Sequence, residues 1–156
     1  MKALNIENTK TFMSRLLGSE AFDDFLLEEA SIRTYNTFTI DGRIIPEFYD
    51  DYEFGYEFSE WKTIRPVCFD LIKGKQLPVY CQFVLQLKPE VVNEILRRGN
   101  ASIDPTLVKS FTLNIKYSNK EIVVISGTSF TTFVMDKTPD ELWDSYVEDF
   151  INATGC

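Results

Sequence analysis

Hydrophobic positions along this chain change period several times, and each change marks an element. Phe12, Met13, Leu16 and Leu17 recur at helical spacing, which predicts a first helix from Glu7 to Leu17, with Gly18 placed for a left-handed cap. From Phe25 to Ile40 the pattern turns extended and predicts one long strand, straight or bent, with Leu26, Ala30, Ile32, Phe38 and Ile40 on one face. It closes at the Asp41-Gly42 turn signal. Further on, Trp61, Ile64, Cys68, Leu71 and Ile72 predict a helix that Ser59 can cap and that stops at Gly74. Pro66 inside it kinks the helix or marks its true first turn.

The second half is more regular. Val79, Cys81, Phe83, Leu85 and Leu87 alternate with polar or smaller neighbours, the period of a half-buried strand. Pro89 opens a short helix bearing Val91, Val92, Ile95 and Leu96, ended by Gly99-Asn100. Phe111, Leu113, Ile115 and Tyr117 alternate into a turn at Ser118 to Lys120, and Ile122 to Val134 returns as the second arm of a hairpin, with Gly127 marking a bulge or bend. Thr138-Pro139-Asp140-Glu141 combines a capping hydroxyl, an early proline and a capping-box glutamate ahead of Leu142, Trp143, Tyr146, Val147, Phe150 and Ile151, the closing helix.

Alternating strands favour an antiparallel sheet covered on one face. The expectation is α+β: about four mainly antiparallel strands with helices packed on one side. No linker or internal repeat divides the 156 residues, so residues 1–156 read as a single domain, long enough to bury roughly 70% of its unfolded surface.

Charge changes this picture in one respect. The net charge of −8 falls unevenly: residues 1–61 carry thirteen acids against five bases, residues 62–135 ten bases against five acids, and residues 136–156 six acids against one base. Either the fold interleaves these segments into an acidic, soluble surface or the central segment forms a separate basic face; nucleic acid is an unfavourable partner because phosphate contacts need clustered cations. Cys68, Cys81 and Cys156 match neither a zinc nor a redox spacing. No signal-peptide core or membrane-length apolar run occurs, so the expected compartment is the cytoplasm.

The densest chemistry lies between Pro46 and Trp61, where seven of sixteen residues are aromatic, six are acidic and none is basic. Carboxylates resist burial and rings seek it, so the segment sits at a boundary of core and water or meets a partner. In extended conformation Tyr52, Phe54, Tyr56 and Phe58 project to one side and the intervening acids to the other. Such a stretch is an edge strand or connecting arm laid on the core, a lid over a pocket, or a recognition arm whose rings anchor and whose acids select a basic protein surface.

Catalytic signals are sparse. The chain has no histidine, which removes the commonest general base and metal ligand and every Ser-His or Cys-His pair. Neither a P-loop nor GxGxxG is present, and Lys73-Gly74-Lys75 reads as a helix end with favourably placed lysines. Glu28/Glu29 and Asp50/Asp51 are paired carboxylates, but neighbours on a strand point to opposite faces, so Glu28 and Glu29 should not share a site. On the more apolar face Glu28, Thr34 and Asn36 need partners, and Arg65 is a counter-charge in reach of that reading.

The strings MKALNIENTKTFMSRLL, FLLEEASIRTYNTFTIDGR and IRPVCFDLIKGK together resemble a family of small uncharacterised proteins from anaerobic Gram-positive bacteria, classed as a domain of unknown function. The resemblance implies a bacterial cytoplasmic origin and no activity or cofactor.

Two functional expectations result. The first is a non-enzymatic module that binds another macromolecule through residues 48–61, with Phe48, Tyr52, Phe54, Tyr56, Phe58 and Trp61 as contacts and Glu28, Asn36 and Arg65 as further candidates. The second is a small-ligand binder with a pocket between the sheet and the closing helix, lined by Phe38, Phe83, Trp143 and Phe150. A carboxylate enzyme holding a divalent metal is a third option without a ligand-spaced motif.

Overall fold

The structure, a computed structural model, describes residues 1–49 and 55–156. In chain order it forms strand β1 (Ala3–Ile6), helix α1 (Thr9–Gly18), strands β2 (Phe25–Arg33) and β3 (Thr37–Asp41), helix α2 (Trp61–Ile72), strand β4 (Tyr80–Leu87), helix α3 (Pro89–Arg98), strands β5 (Val108–Ser118) and β6 (Glu121–Phe130), and helix α4 (Thr138–Ala153). The strands make one antiparallel sheet in the order β1-β6-β5-β4-β2-β3. The α+β class with helices on one face is as the sequence predicts, but the sheet has six strands where about four were expected.

Both extra strands have a physical origin. The stretch Phe25 to Ile40 is a hairpin, because the chain reverses where the Thr34 N–H donates to the Asn36 carbonyl at 3.0 Å. No glycine or proline announces that turn. β1 is four residues long, too short for a period to emerge, and is held by pairing Ala3 to Ile6 with Ile125 to Ile122.

The core lies on one side of the sheet. Cys81, Phe83, Leu85 and Leu87 of β4, Leu113 and Ile115 of β5, and Ile122 and Val124 of β6 share a single cluster with Phe12, Leu16, Trp61, Cys68, Val92, Leu96, Trp143 and Val147 from the helices. Two indoles fix helices by hydrogen bonds as well as by area. Trp61 Nε1 donates to the Leu16 carbonyl at 3.0 Å, and Trp143 Nε1 to the Thr112 carbonyl at 3.0 Å. The other sheet face is mixed: Val84, Val123 and Ile125 lie half-buried on it among polar side chains, with Gln82 Nε2 donating to Asn114 Oδ1 at 3.1 Å.

Helix ends depart from the sequence signals in four places. α1 is capped by Asn8, whose Oδ1 accepts the Thr11 N–H at 3.0 Å, and Gly18 stays inside the helix instead of turning left-handed. Ser59 does not cap α2. Its N–H and carbonyl pair with Gly42 and Leu27, leaving Glu60 at the cap without a side-chain bond. Pro66 lies within α2, which begins ahead of it at Trp61. Thr138 is the first residue of α4, not its cap; its N–H is taken by Asp136 Oδ1 at 2.9 Å.

β6 ends at Phe130, short of the expected Val134, and Gly127 keeps regular register opposite Thr112. A Cβ there would stand 2.8 Å from Thr112 Oγ1, so the glycine serves close strand approach, while the irregularity falls on β5 between Val108 and Ser110. Among the described residues no helix is long and apolar enough to cross a membrane.

Candidate functional site

Beyond Asp41 the chain leaves the sheet at Gly42 and returns at Ser59. Gly42 N–H donates to the Glu28 carbonyl at 2.9 Å, Ser59 N–H to the Gly42 carbonyl at 2.8 Å, and Leu27 N–H to the Ser59 carbonyl at 2.8 Å. Only glycine fits at that crossing, since a Cβ on Gly42 would lie 1.8 Å from the Leu27 carbonyl oxygen. The outgoing and returning strands of the excursion then pair with each other, Arg43 opposite Phe58 and Ile44 N–H on the Glu57 carbonyl at 3.0 Å.

This stem is fixed on three sides. Arg43 Nη1 meets Glu57 Oε1 at 2.6 Å while its guanidinium lies over the Phe58 ring at 5.4 Å. Lys88 Nζ reaches Glu60 Oε1 at 2.7 Å and also stands 5.9 Å from the Tyr56 ring centre, and the Tyr56 hydroxyl bonds Glu90. Lys88 and Glu90 flank the start of α3, so the excursion is tied to the helical layer as well as to β2.

On this base Pro46–Phe48 forms a single 3-10 turn, closed by Tyr49 N–H on the Pro46 carbonyl at 3.0 Å. It displays Ile45 at 66% exposure, Phe48 at 82% and Tyr49 at 44%, with the Phe48 and Tyr49 rings edge to face at 5.2 Å. Beside them a shallow depression of about 470 Å³ is lined by Arg43, Ile44, Glu47 and Ser59 together with these apolar side chains. These exposed apolar side chains lie close together, with Glu47 and Arg43 beside them, and make up a contiguous apolar patch.

The sequence candidates are thereby dispersed. Phe48 is on the patch. Tyr56 and Phe58 belong to the stem, Phe58 being buried, and Trp61 is wholly buried in the core. Tyr52 and Phe54, like Asp50 and Asp51, lie outside the described residues, and with them the expected single face of Tyr52, Phe54, Tyr56 and Phe58. Arg65 pairs with Asp23, Nη1 to Oδ1 at 2.7 Å, and not with Glu28. Asn36 is exposed in the β2–β3 reversal, and the Thr34 hydroxyl is buried without a hydrogen-bond partner.

Glu28 and Glu29 do share surroundings, against the alternation argument. The β2–β4 register shifts between Leu27 and Glu29, which makes Glu28 a bulged extra residue. Both glutamates border a groove of about 540 Å³ with Ser31, Asp41, Arg43 and Gln82. Among the described residues no group of three or more potential ligands is disposed to hold a metal ion. Cys68 and Cys81 are unsuited to nucleophilic work: burial pushes both thiols up to about 12, the neighbouring Cys81 adding to the effect on Cys68.

The space between sheet and α4 is densely occupied. Phe83 and Trp143 have no exposure, Trp143 stacks on Phe111 at 5.1 Å, and Phe150 packs edge-on against Phe22 at 5.1 Å. Phe38 is remote from them on β3, edge to face with Tyr35 at 5.6 Å.

Sequence reasoning missed Ile45 and undervalued Tyr49. The available signal was Ile44-Ile45 directly ahead of Pro46, two large apolar residues running into a turn former with no helical or strand period to bury both.

The chain belongs to a family of unknown function, DUF5721, whose family model matches residues 15–155. No curated protein and no solved structure matches it.

Proposed function

We propose that this DUF5721 member is a non-enzymatic, cytoplasmic binding module of a Gram-positive anaerobe, and that the turn carrying Ile45, Phe48 and Tyr49 docks a protein with a basic surface. The observation that carries the reading is the pairing of exposure with rigidity. Phe48 at 82% and Ile45 at 66% exposure stand on a stem held by backbone pairing to β2 and by Lys88 and Glu90. A fixed apolar anchor loses little conformational entropy on binding, and the acids around it select and steer a cationic partner. The absence of histidine and of nucleotide-binding motifs supports a role without chemistry.

The test compares the intact chain with an Ile45→Ala/Phe48→Ala variant in affinity capture from the cells that make it, followed by native mass spectrometry. A basic protein retained by the first and lost from the second is the expected result. Equal retention by both, or retention of a small molecule in place of a protein, rejects the reading.

A further inference from the structure

The outer edge of β3 ends the sheet, and no strand pairs with it among the described residues. Its hydrogen-bonding groups can be assigned. At one end of the β2–β3 ladder Gly42 N–H donates to Glu28, and at the other Thr34 N–H donates to Asn36. Antiparallel residues turn alternately inward and outward, so Asn36, Phe38, Ile40 and Gly42 face β2 while Thr37, Thr39 and Asp41 present their N–H and C=O groups outward. All three are exposed, and although β3 is short and ends in the charged Asp41, it has no lysine, no proline and no bulge to block pairing along its length.

We infer that this edge pairs with the same edge of a second copy, antiparallel about a two-fold axis through Thr39, joining two six-stranded sheets into one. The sequence TFTID is self-complementary in that register. Thr39 meets Thr39, Phe38 meets Ile40, and Thr37 meets Asp41, each of the last two pairs occurring twice. These are a hydroxyl pair, an aromatic–aliphatic pair and a hydroxyl–carboxylate pair, all favourable across strands, and no like charges are opposed. The three outward residues per copy would exchange about six backbone hydrogen bonds. The other edge fits less well, because β1 has four residues and centring on Asn5 keeps only Leu4 and Ile6 in a matched pair within the strand. The contact is small, so the dimer is weak and concentration-dependent. It uses β3 alone and stands whether or not the Ile45–Phe48–Tyr49 patch binds a protein.

Disulfide trapping tests the register in a Cys156→Ser background, the buried Cys68 and Cys81 being inert. Thr39→Cys puts two sulfurs on directly opposed residues whose Cα atoms are about 5.5 Å apart, within disulfide range. Thr37→Cys separates them by about 13 Å along the strands. Rapid crosslinking of Thr39→Cys alone is expected; equal rates for the two, or a heterologous protein retained on the edge with no homodimer, overturns the inference. In sedimentation equilibrium Thr37→Asp should weaken association about tenfold and Thr37→Asp/Asp41→Lys should restore it. Thr39→Pro removes an outward N–H and should abolish association with unchanged circular dichroism. Association that survives Thr39→Pro also overturns the pairing.

Discussion

Asp144 on α4 accepts a hydrogen bond from the wholly buried Ser126 of β6 at 2.5 Å, and the same serine oxygen accepts the Lys2 N–H at 2.9 Å. Asp140 bonds Thr128 one turn earlier, and Glu148 meets Lys2 Nζ at 2.5 Å one turn later. Three carboxylates at helical spacing thus form a polar seam between α4 and the β1–β6 margin of the sheet. Replacing Asp144 by Ala removes the main acceptor of a buried hydroxyl and should cost about 1–3 kcal/mol in urea unfolding. The Ser126→Ala/Asp144→Ala double variant should cost less than the two single losses added together.

Gly42 should tolerate no side chain. Alanine there must move the Leu27 carbonyl, the point at which Ser59 enters the β2 ladder. The expected penalty is about 3 kcal/mol or more, seen as a lowered midpoint of thermal unfolding. Gly18, with nothing within 4 Å of its would-be Cβ, should accept alanine within about 0.5 kcal/mol.

Trp61 and Phe48 sit in one aromatic run yet should respond oppositely. Trp61→Ala empties a fully buried site and breaks the bond to Leu16, for about 3–5 kcal/mol of lost stability. Phe48→Ala should leave unfolding unchanged within about 0.5 kcal/mol. Parallel denaturant titrations of the two variants decide this.

Stability should decline in alkaline solution. Cys68 and Cys81 hold their protons in the folded chain up to about 12, against an ordinary thiol value of 9.0, so the unfolded chain sheds protons that the folded chain keeps as the pH rises between those values. Stability from this source is complete below pH 9 and is lost progressively above it. Substituting Cys81 by Ala should lower stability at neutral pH while flattening its fall above pH 9, measured by urea midpoints across that range. In the same state both thiols should resist alkylation at pH 8.

Period and punctuation made much of this fold legible. β4, the β5–β6 hairpin and α4 were readable because their apolar residues alternate or recur over eight residues or more. The β2–β3 reversal was not, since Thr34-Tyr35-Asn36 contains neither glycine nor proline, a lone Asn36 is a weak turn signal, and both flanks are extended. The α4 cap was misplaced because Asp136 competes with Thr138 for the same role and takes the Thr138 N–H itself. Within the site, Phe48 was visible from composition. Which rings of the aromatic run would be buried was not, because burial of Phe58 and Trp61 follows from the pairing of Ser59 and Glu60 with β2 and from the Leu16 carbonyl, both remote in sequence.

The crossing of Gly42 and Ser59 has an architectural consequence. β2 exchanges one neighbour for another at a single point, β3 departing as Ser59-Glu60 arrives, so the intervening stretch begins and ends at the same place on the sheet margin. It behaves as a cassette. Because the cost of closing a loop grows only slowly with its length, segments of other lengths and compositions can be spliced between Ile44 and Glu57, beyond the paired stem and the buried Phe58, with strand order and core left as they are. The displayed surface can therefore diversify independently of the scaffold that carries it.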